Sequence, residues 1–340
     1  MRRMSTILFA FLCSANAVCQ SRTTAIPDFD PNGKMVFVED YDGEGGLLSF
    51  NFGDIVIFDP VTKQKTRITH DKYCDLHPSW SPDGQKIIFE SIRMDSPGKK
   101  GRWRIIDLSD PTHLFIFDIR TGQLTQFDKD FVKIYGIQVG EQNEKPAWSP
   151  ISNQIAFVTK IDGFREKLVV LDLGNNTVTS LTTPKQFEFY GRILWSPKGE
   201  HLAFDIFIPH SKGNTGIVVM NIKSKEAKLV SDVSKSCGLG GWTPDGTKLI
   251  FDYYHESKIK ESGFYEYSLE TGKITLLKQF KDVVCGDGQI GANGNVIAFT
   301  RYDWSTHSYD IWLYNMSDGS CSQLTTDGHE KDGLMWYVKP

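Results

Sequence analysis

A set of polar residues recurs one to five positions ahead of a series of anchor residues, most of them Trp. It comprises Asp75 and His77, Glu144 and Lys145, Tyr190 and Arg192, Cys237 and Leu239, Asp287 and Gln289, and Lys331 and Asp332. The bases His77, Lys145 and Arg192 fall in the first half of this series and Lys331 in the second, and the acids divide evenly, Asp75 and Glu144 before Asp287 and Asp332. Gathered around one mouth, such residues could hold a peptide tail, or an acidic sugar. In the sugar case Lys145 or Arg192 would neutralise a uronate carboxylate, and His77 or Tyr190 would remove the neighbouring proton. The plainer alternative is that they are solvated loop residues, with His77 hydrogen-bonded to a neighbouring loop.

Other reactive groups are sparser. Asp28-x-Asp30-x-Asn32-Gly33 with Glu39 has the spacing of a calcium loop. Neither flank reads as a helix, and the same residues form a Pro-Asn-Gly turn, so a turn is expected there. The segment from Asp40 to Gly46 is acidic and Gly-rich and reads as a connector. Cys74, Cys237 and Cys285 each precede an anchor by five or six residues, which puts them on one face, and Cys237 with Cys285, on adjacent blades, could form a disulfide in an oxidising compartment. The sequence contains no C-x-x-C, H-E-x-x-H, G-x-S-x-G or P-loop pattern, so no metal and no cofactor is expected.

Bulk properties narrow the setting. The net charge of −4 argues against a nucleic-acid partner, since phosphate binding needs a basic surface. Aromatics make up 12% of 340 residues, as an all-β protein would use them. Arg2 and Arg3, the apolar run from Ile7 to Leu12, and Ala15-Asn16-Ala17 have the layout of a cleaved signal peptide over 1–17, with a short lead over 18–25. Val18 before Cys19 is too large for lipidation of that cysteine. No other stretch is long and apolar enough to span a bilayer.

The elements that must position these residues come from a repeat. The clearest copy is Pro78-Ser79-Trp80-Ser81-Pro82-Asp83-Gly84 followed by Lys86-Ile87-Ile88-Phe89. Others run from Pro146 to Phe157, Leu194 to Phe204 and Gly241 to Phe251, with weaker copies at Phe29 to Phe37 and Ile290 to Phe299. Anchors at Phe29, Trp80, Trp148, Trp195, Trp242, Ile290 and Trp336 are 51, 68, 47, 47, 48 and 46 residues apart. A period near 47 is that of a four-stranded propeller blade. The long interval absorbs an insertion around 96–111. In each unit an aromatic is expected to open the inner strand. A turn, an alternating apolar strand, a third strand such as Asp310 to Tyr314 and an outer strand ending in Leu-Thr follow. Six intervals predict an all-β, six-bladed propeller over 26–340, closed by pairing Gly333 to Val338 with the first blade. Loops entering the inner strands then ring the channel and form the expected binding face.

These units resemble the repeat of the TolB-type propeller family, roughly P-x-W-S-P-D-G-x-x-I-A-F, then D-I-Y and L-T. The resemblance spans 26–340. It implies an exported, non-catalytic binding propeller, periplasmic or secreted and monomeric, that holds an envelope protein or peptide at the channel mouth. The additional α/β domain of TolB is not expected here. Oligogalacturonate lyase is similar in its repeat, so a lyase acting on an acidic glycan is the alternative.

Overall fold

The computed structural model describes residues 25–40, 53–70, 73–93, 112–128, 142–161, 165–181, 188–208, 215–232, 234–254, 262–280, 283–303 and 308–339. The expected signal-peptide segment, the expected insertion around 96–111 and most of the acidic segment after Asp40 lie outside them.

Twenty-four strands form six antiparallel sheets of four. Blade 2 is Asp75–Trp80, Lys86–Ser91, His113–Asp118 and Gln123–Gln126 from the channel outward. The inner strands of blades 3 to 6 are Gln142–Trp148, Glu188–Trp195, Ser236–Trp242 and Val284–Ile290. Blade 1 takes its inner strand from the chain's end: Lys331–Trp336 pairs with Met35–Glu39. The ring is closed as the repeat predicts, which removes the open edge that would otherwise template aggregation.

The repeat residues explain the packing. The second strand of each blade is buried on both faces. Its Phe (Phe37, Phe89, Phe157, Phe204, Phe251 or Phe299) is at most 1% exposed. The anchor indoles stitch blade to blade. Trp80, Trp195, Trp242 and Trp336 each donate Nε1–H to the carbonyl just before the preceding blade's anchor: Met335, Ala147, Leu194 and Gln289, at 2.9 to 3.4 Å. Tryptophan suits this place because it adds a donor to a large apolar surface. The seam between blades 2 and 3 uses Ser79 Oγ instead, which accepts from the Trp148 amide at 2.9 Å. After each anchor the chain turns sharply. Gly84 there has φ +64°, and a Cβ on it would fall 2.5 Å from Pro31.

The aromatic anchor ends the inner strand and does not open it. The residues expected on loops ahead of the anchors therefore lie within the inner strands. Ahead of each inner-strand anchor the chain bulges and continues as strand.

The turn expected at Asp30 to Gly33 forms: Asp30 Oδ1 accepts from the Asn32 amide at 3.1 Å and from its side chain at 2.7 Å. Glu39, the twelfth residue of the calcium-like spacing, is a fully buried strand residue of blade 1.

Candidate binding face of the channel

Every inner strand carries a β-bulge at the same level. Ladder pairing skips across His77-Pro78, Lys145-Pro146, Tyr190-Gly191-Arg192, Gly240-Gly241, Asp287-Gly288 and Gly333-Leu334. A bulge re-aims side chains. At four of the six, the residue three before the anchor is left-handed: His77 at φ 51°, Lys145 at 55°, Asp287 at 56° and Gly333 at 63°. Only the last is the residue type that adopts this conformation without strain.

Behind each bulge lies the residue that follows the buried Phe of the second strand: Val38, Glu90, Val158, Asp205, Asp252 and Thr300 in blades 1 to 6. Three are acids, all buried. The repeat had been followed only as far as the Phe. Reading one residue further would have found a second ring of carboxylates.

On blades 2 and 3 the charges are paired. Glu90 Oε1 lies 3.0 Å from His77 Nδ1, and its Oε2 accepts from the Lys145 amide at 2.5 Å. Burial opposes ionisation of Glu90, but His77 and Lys145 outweigh it and hold its pKa down to about 2. Glu144 takes Lys145 and Lys160 at 2.8 Å each. Burial opposes the charges of Glu144 and Lys145 as well, but Lys145 lowers the Glu144 pKa, and Glu90 and then Glu144 raise that of Lys145.

On blades 4 to 6 and 1 the balance differs. Arg192 reaches across the channel from blade 4. Its Nε donates to Leu239 O at 3.1 Å in blade 5, its Nη2 meets Asp287 Oδ1 at 2.5 Å in blade 6, and its Nη1 donates to Leu334 O at 2.9 Å in blade 1. Blades 4 and 1 are opposite in a ring of six, so this guanidinium stoppers the channel. Four carboxyls face it. Asp205 accepts from the amides of Leu239 and Arg192 at 2.9 and 3.3 Å, yet burial still pushes its pKa up to about 7. Burial, then the like charges of Asp287 and Asp205, raise Asp252 well above the carboxylate range. Asp287 is raised by burial against the pull of Arg192, and it hydrogen-bonds Asp332. Burial acts against the charge of Asp332 too, but the bond from Asp287, with His77 and Arg192, keeps its pKa low.

Other expected site residues are placed as follows. Asp75 is fully buried, bonded to Ser91 and Arg93 at 2.7 Å each. Gln289 joins the inner strands of blades 6 and 5 through Gly240 O. Tyr190 stands out at 59% exposure. The expected disulfide is not formed. Cys237 and Cys285 are free and buried in the clusters of two different inter-blade seams, and burial raises both thiols, Cys237 to about 12. Among the described residues, metal-ligating atoms converge only at Glu39, Asp327 and His329. There Lys65 bonds both acids, and Lys331 lies 3.3 and 2.5 Å from them, so two ammonium groups already neutralise the oxygens.

Beyond the Arg192 stopper the channel widens into a cavity of about 420 Å³ between the ends of the inner strands. It is walled by Trp80, Trp148, Trp195, Trp242 and Trp336, with Lys198 and Lys339 also lining it.

No family model matches the sequence. A TolB homologue of Chlorobium luteolum is 29% identical over 108 residues, 32% of this chain and 20% of that protein's length. Crystallographic TolB from Acinetobacter baumannii superposes with a TM-score of 0.62 at 15% identity, over 90% of this chain and 67% of that one. A putative TolB from Agrobacterium tumefaciens gives 0.59 at 14%, over 88% and 91%.

The chain has the six-bladed propeller fold seen in TolB. Its likeness to oligogalacturonate lyase of Vibrio parahaemolyticus is one of fold: TM-score 0.54 at 13% identity, over 86% and 74%. In the TolB-like propeller no helix of the described residues is long and apolar enough to cross a membrane.

Proposed function

We propose that this propeller is a non-catalytic binding module of the bacterial envelope, periplasmic or secreted and monomeric, that takes a protein or peptide at the bulged end of its channel. The observation that carries this reading is the ring of bulges. Three ionisable residues, His77, Lys145 and Asp287, are held left-handed where glycine would cost less. Strain kept at aligned positions around one opening marks a functional surface. The TolB homologue supports the envelope setting.

Lyase chemistry would need an uncommitted cation and a base beside it. Lys145 is bound to Glu144, Arg192 to Asp287 and two carbonyls, and His77 to Glu90. Those engagements favour binding over turnover.

The test is a pull-down from envelope extract with tagged protein. A specific protein is expected with the wild type and should be lost with Tyr190→Ala and His77→Ala together. Equal recovery by that variant, or cleavage of oligogalacturonate by the wild type, would overturn the reading.

A further inference from the structure

We propose that the acid-lined half of the channel holds one organic cation, the ammonium or guanidinium group of a peptide partner, against Asp252, Asp287 and Asp332. This inference rests on the binding reading above and names the chemistry of what is bound.

Charge is the first observation. Among the described residues Asp205, Asp252, Asp287 and Asp332 share one guanidinium, that of Arg192, with His77 acting on Asp205 and Asp332 without an ion-pair contact, whereas Glu90 and Glu144 on the other side pair directly with His77, Lys145 and Lys160. Buried carboxylates stay ionised only when paired. The second observation is independent of charge. Among the described residues, Oδ1 of Asp252, a residue 1% exposed, has no hydrogen-bond partner. Its carboxylate is aimed through the inner strand: opposite it is Gly238, where a Cβ would lie 2.9 Å from that oxygen. Gly191 leaves the same opening for Asp205, at 2.4 Å. Side-chain-free positions thus let second-strand acids reach the channel.

The site does not suit a metal ion. A metal needs several oxygens converging on one centre, and these carboxylates do not converge that closely among the described residues. A larger cation that spreads its hydrogens over separate acceptors fits instead, as Arg192 already does across the same wall. Asp287 and Asp332 are part-exposed, so an incoming cation meets them first. Their mutual hydrogen bond needs one proton. The cation replaces that proton, which leaves to solvent. The titratable and charged groups facing the pair are Arg192, Asp205, Asp252 and His77, with Glu330, Tyr309 and Cys74 beside Asp332.

The experiment uses fluorescein-labelled pentalysine and its fully Nε-acetylated form, titrated into the full chain at pH 6 and pH 8. Pentalysine should bind at least tenfold more tightly than the acetylated peptide, and more tightly at pH 8 because proton release is then favoured. Asp252→Asn with Asp332→Asn should weaken it at least tenfold. Glu270→Gln with Asp318→Asn, two exposed acids outside the channel, should change it less than twofold. Should the double channel variant not fold, Asp252→Asn alone carries the test, since it breaks no ion pair. No pentalysine binding, equal binding of the acetylated peptide, or equal loss in the exposed-acid variant would overturn the proposal. A partner captured through His77 and Tyr190 that is still captured by the channel variant would end this inference and leave the binding module standing.

Discussion

The two halves of the bulged ring solve one problem in opposite ways. Both put carboxylates behind the inner strand at the same level: Glu90 on blade 2, and Asp205 and Asp252 on blades 4 and 5. Blades 2 and 3 answer with four basic side chains, so Glu90, Glu144 and Asp75 each have a partner among His77, Lys145, Lys160 and Arg93. Blades 4 to 6 and 1 answer with one, stretched over the whole channel. The first half is a finished ion-pair network. The second is short of positive charge. Equal repeats can carry unequal electrostatics, and the unequal part is where a ligand has something to contribute.

The contrast breaks hardest at Arg192. Arg192→Met strands Asp287 and frees two carbonyls, and should destabilise the fold by about 3–5 kcal/mol. Lys160→Met in the paired half should cost under about 1 kcal/mol, because Lys145 still neutralises Glu144. Chemical denaturation of both variants measures the difference; equal losses would mean that Arg192 is no stopper.

Acid and base should act on opposite halves. Glu90 falls from its usual 4.5 to about 2 on folding, so its stabilisation is complete above 4.5 and is lost as pH drops toward 2. Asp205 rises from 3.8 to about 7, so folding is favoured most below 3.8 and loses that advantage as pH climbs through about 7. Each limb is on the order of 3 kcal/mol. Melting temperature against pH should therefore fall on both sides, with Glu90→Gln flattening the acid limb and Asp205→Asn the alkaline one. Loss of both limbs in either variant would show that the halves are not independent.

The glycines sharpen the comparison at closer range. Gly191→Ala would put a methyl 2.4 Å from Asp205 Oδ2 and should cost about 1–3 kcal/mol. Gly286 occupies the corresponding place on blade 6, but faces Thr300, whose Oγ1 would be 3.7 Å away. Gly286→Ala should change stability by less than about 0.5 kcal/mol. Urea midpoints of the two variants decide it.

The fold was plain in the sequence because its signal is redundant. The Trp, the Pro-Asp-Gly turn and the buried Phe recur at a fixed period, and each has one structural use. Closure by the chain's last strand followed from the count. The site was legible in part. His77, Lys145, Arg192, Asp287 and Asp332 stood out by type, but their setting was misread as loop, because a bulge leaves the chain looking broken between two well-patterned strands. The acids behind them escaped notice since a single Asp after a strand Phe reads as the strand's polar end. What Arg192 does was beyond any local pattern: its partners lie 47, 95 and 142 residues away.

The smallest effect bears on why the bulges hold charged residues at all. His77 is left-handed, a conformation that costs an L-residue roughly 1–2 kcal/mol and glycine almost nothing. Glycine gives back about 0.5–1 kcal/mol through its freer unfolded chain. Both His77→Gly and His77→Ala lose the contact with Glu90, so that term cancels between them. His77→Gly should then be the more stable of the two by about 0.5–1 kcal/mol, even though glycine ordinarily weakens a strand. Paired denaturation curves measure this directly. If Ala equals or exceeds Gly, the bulge is unstrained and selection for a binding surface loses its physical support. If Gly wins, the ring holds charge at a conformational cost that only the contents of the channel can justify.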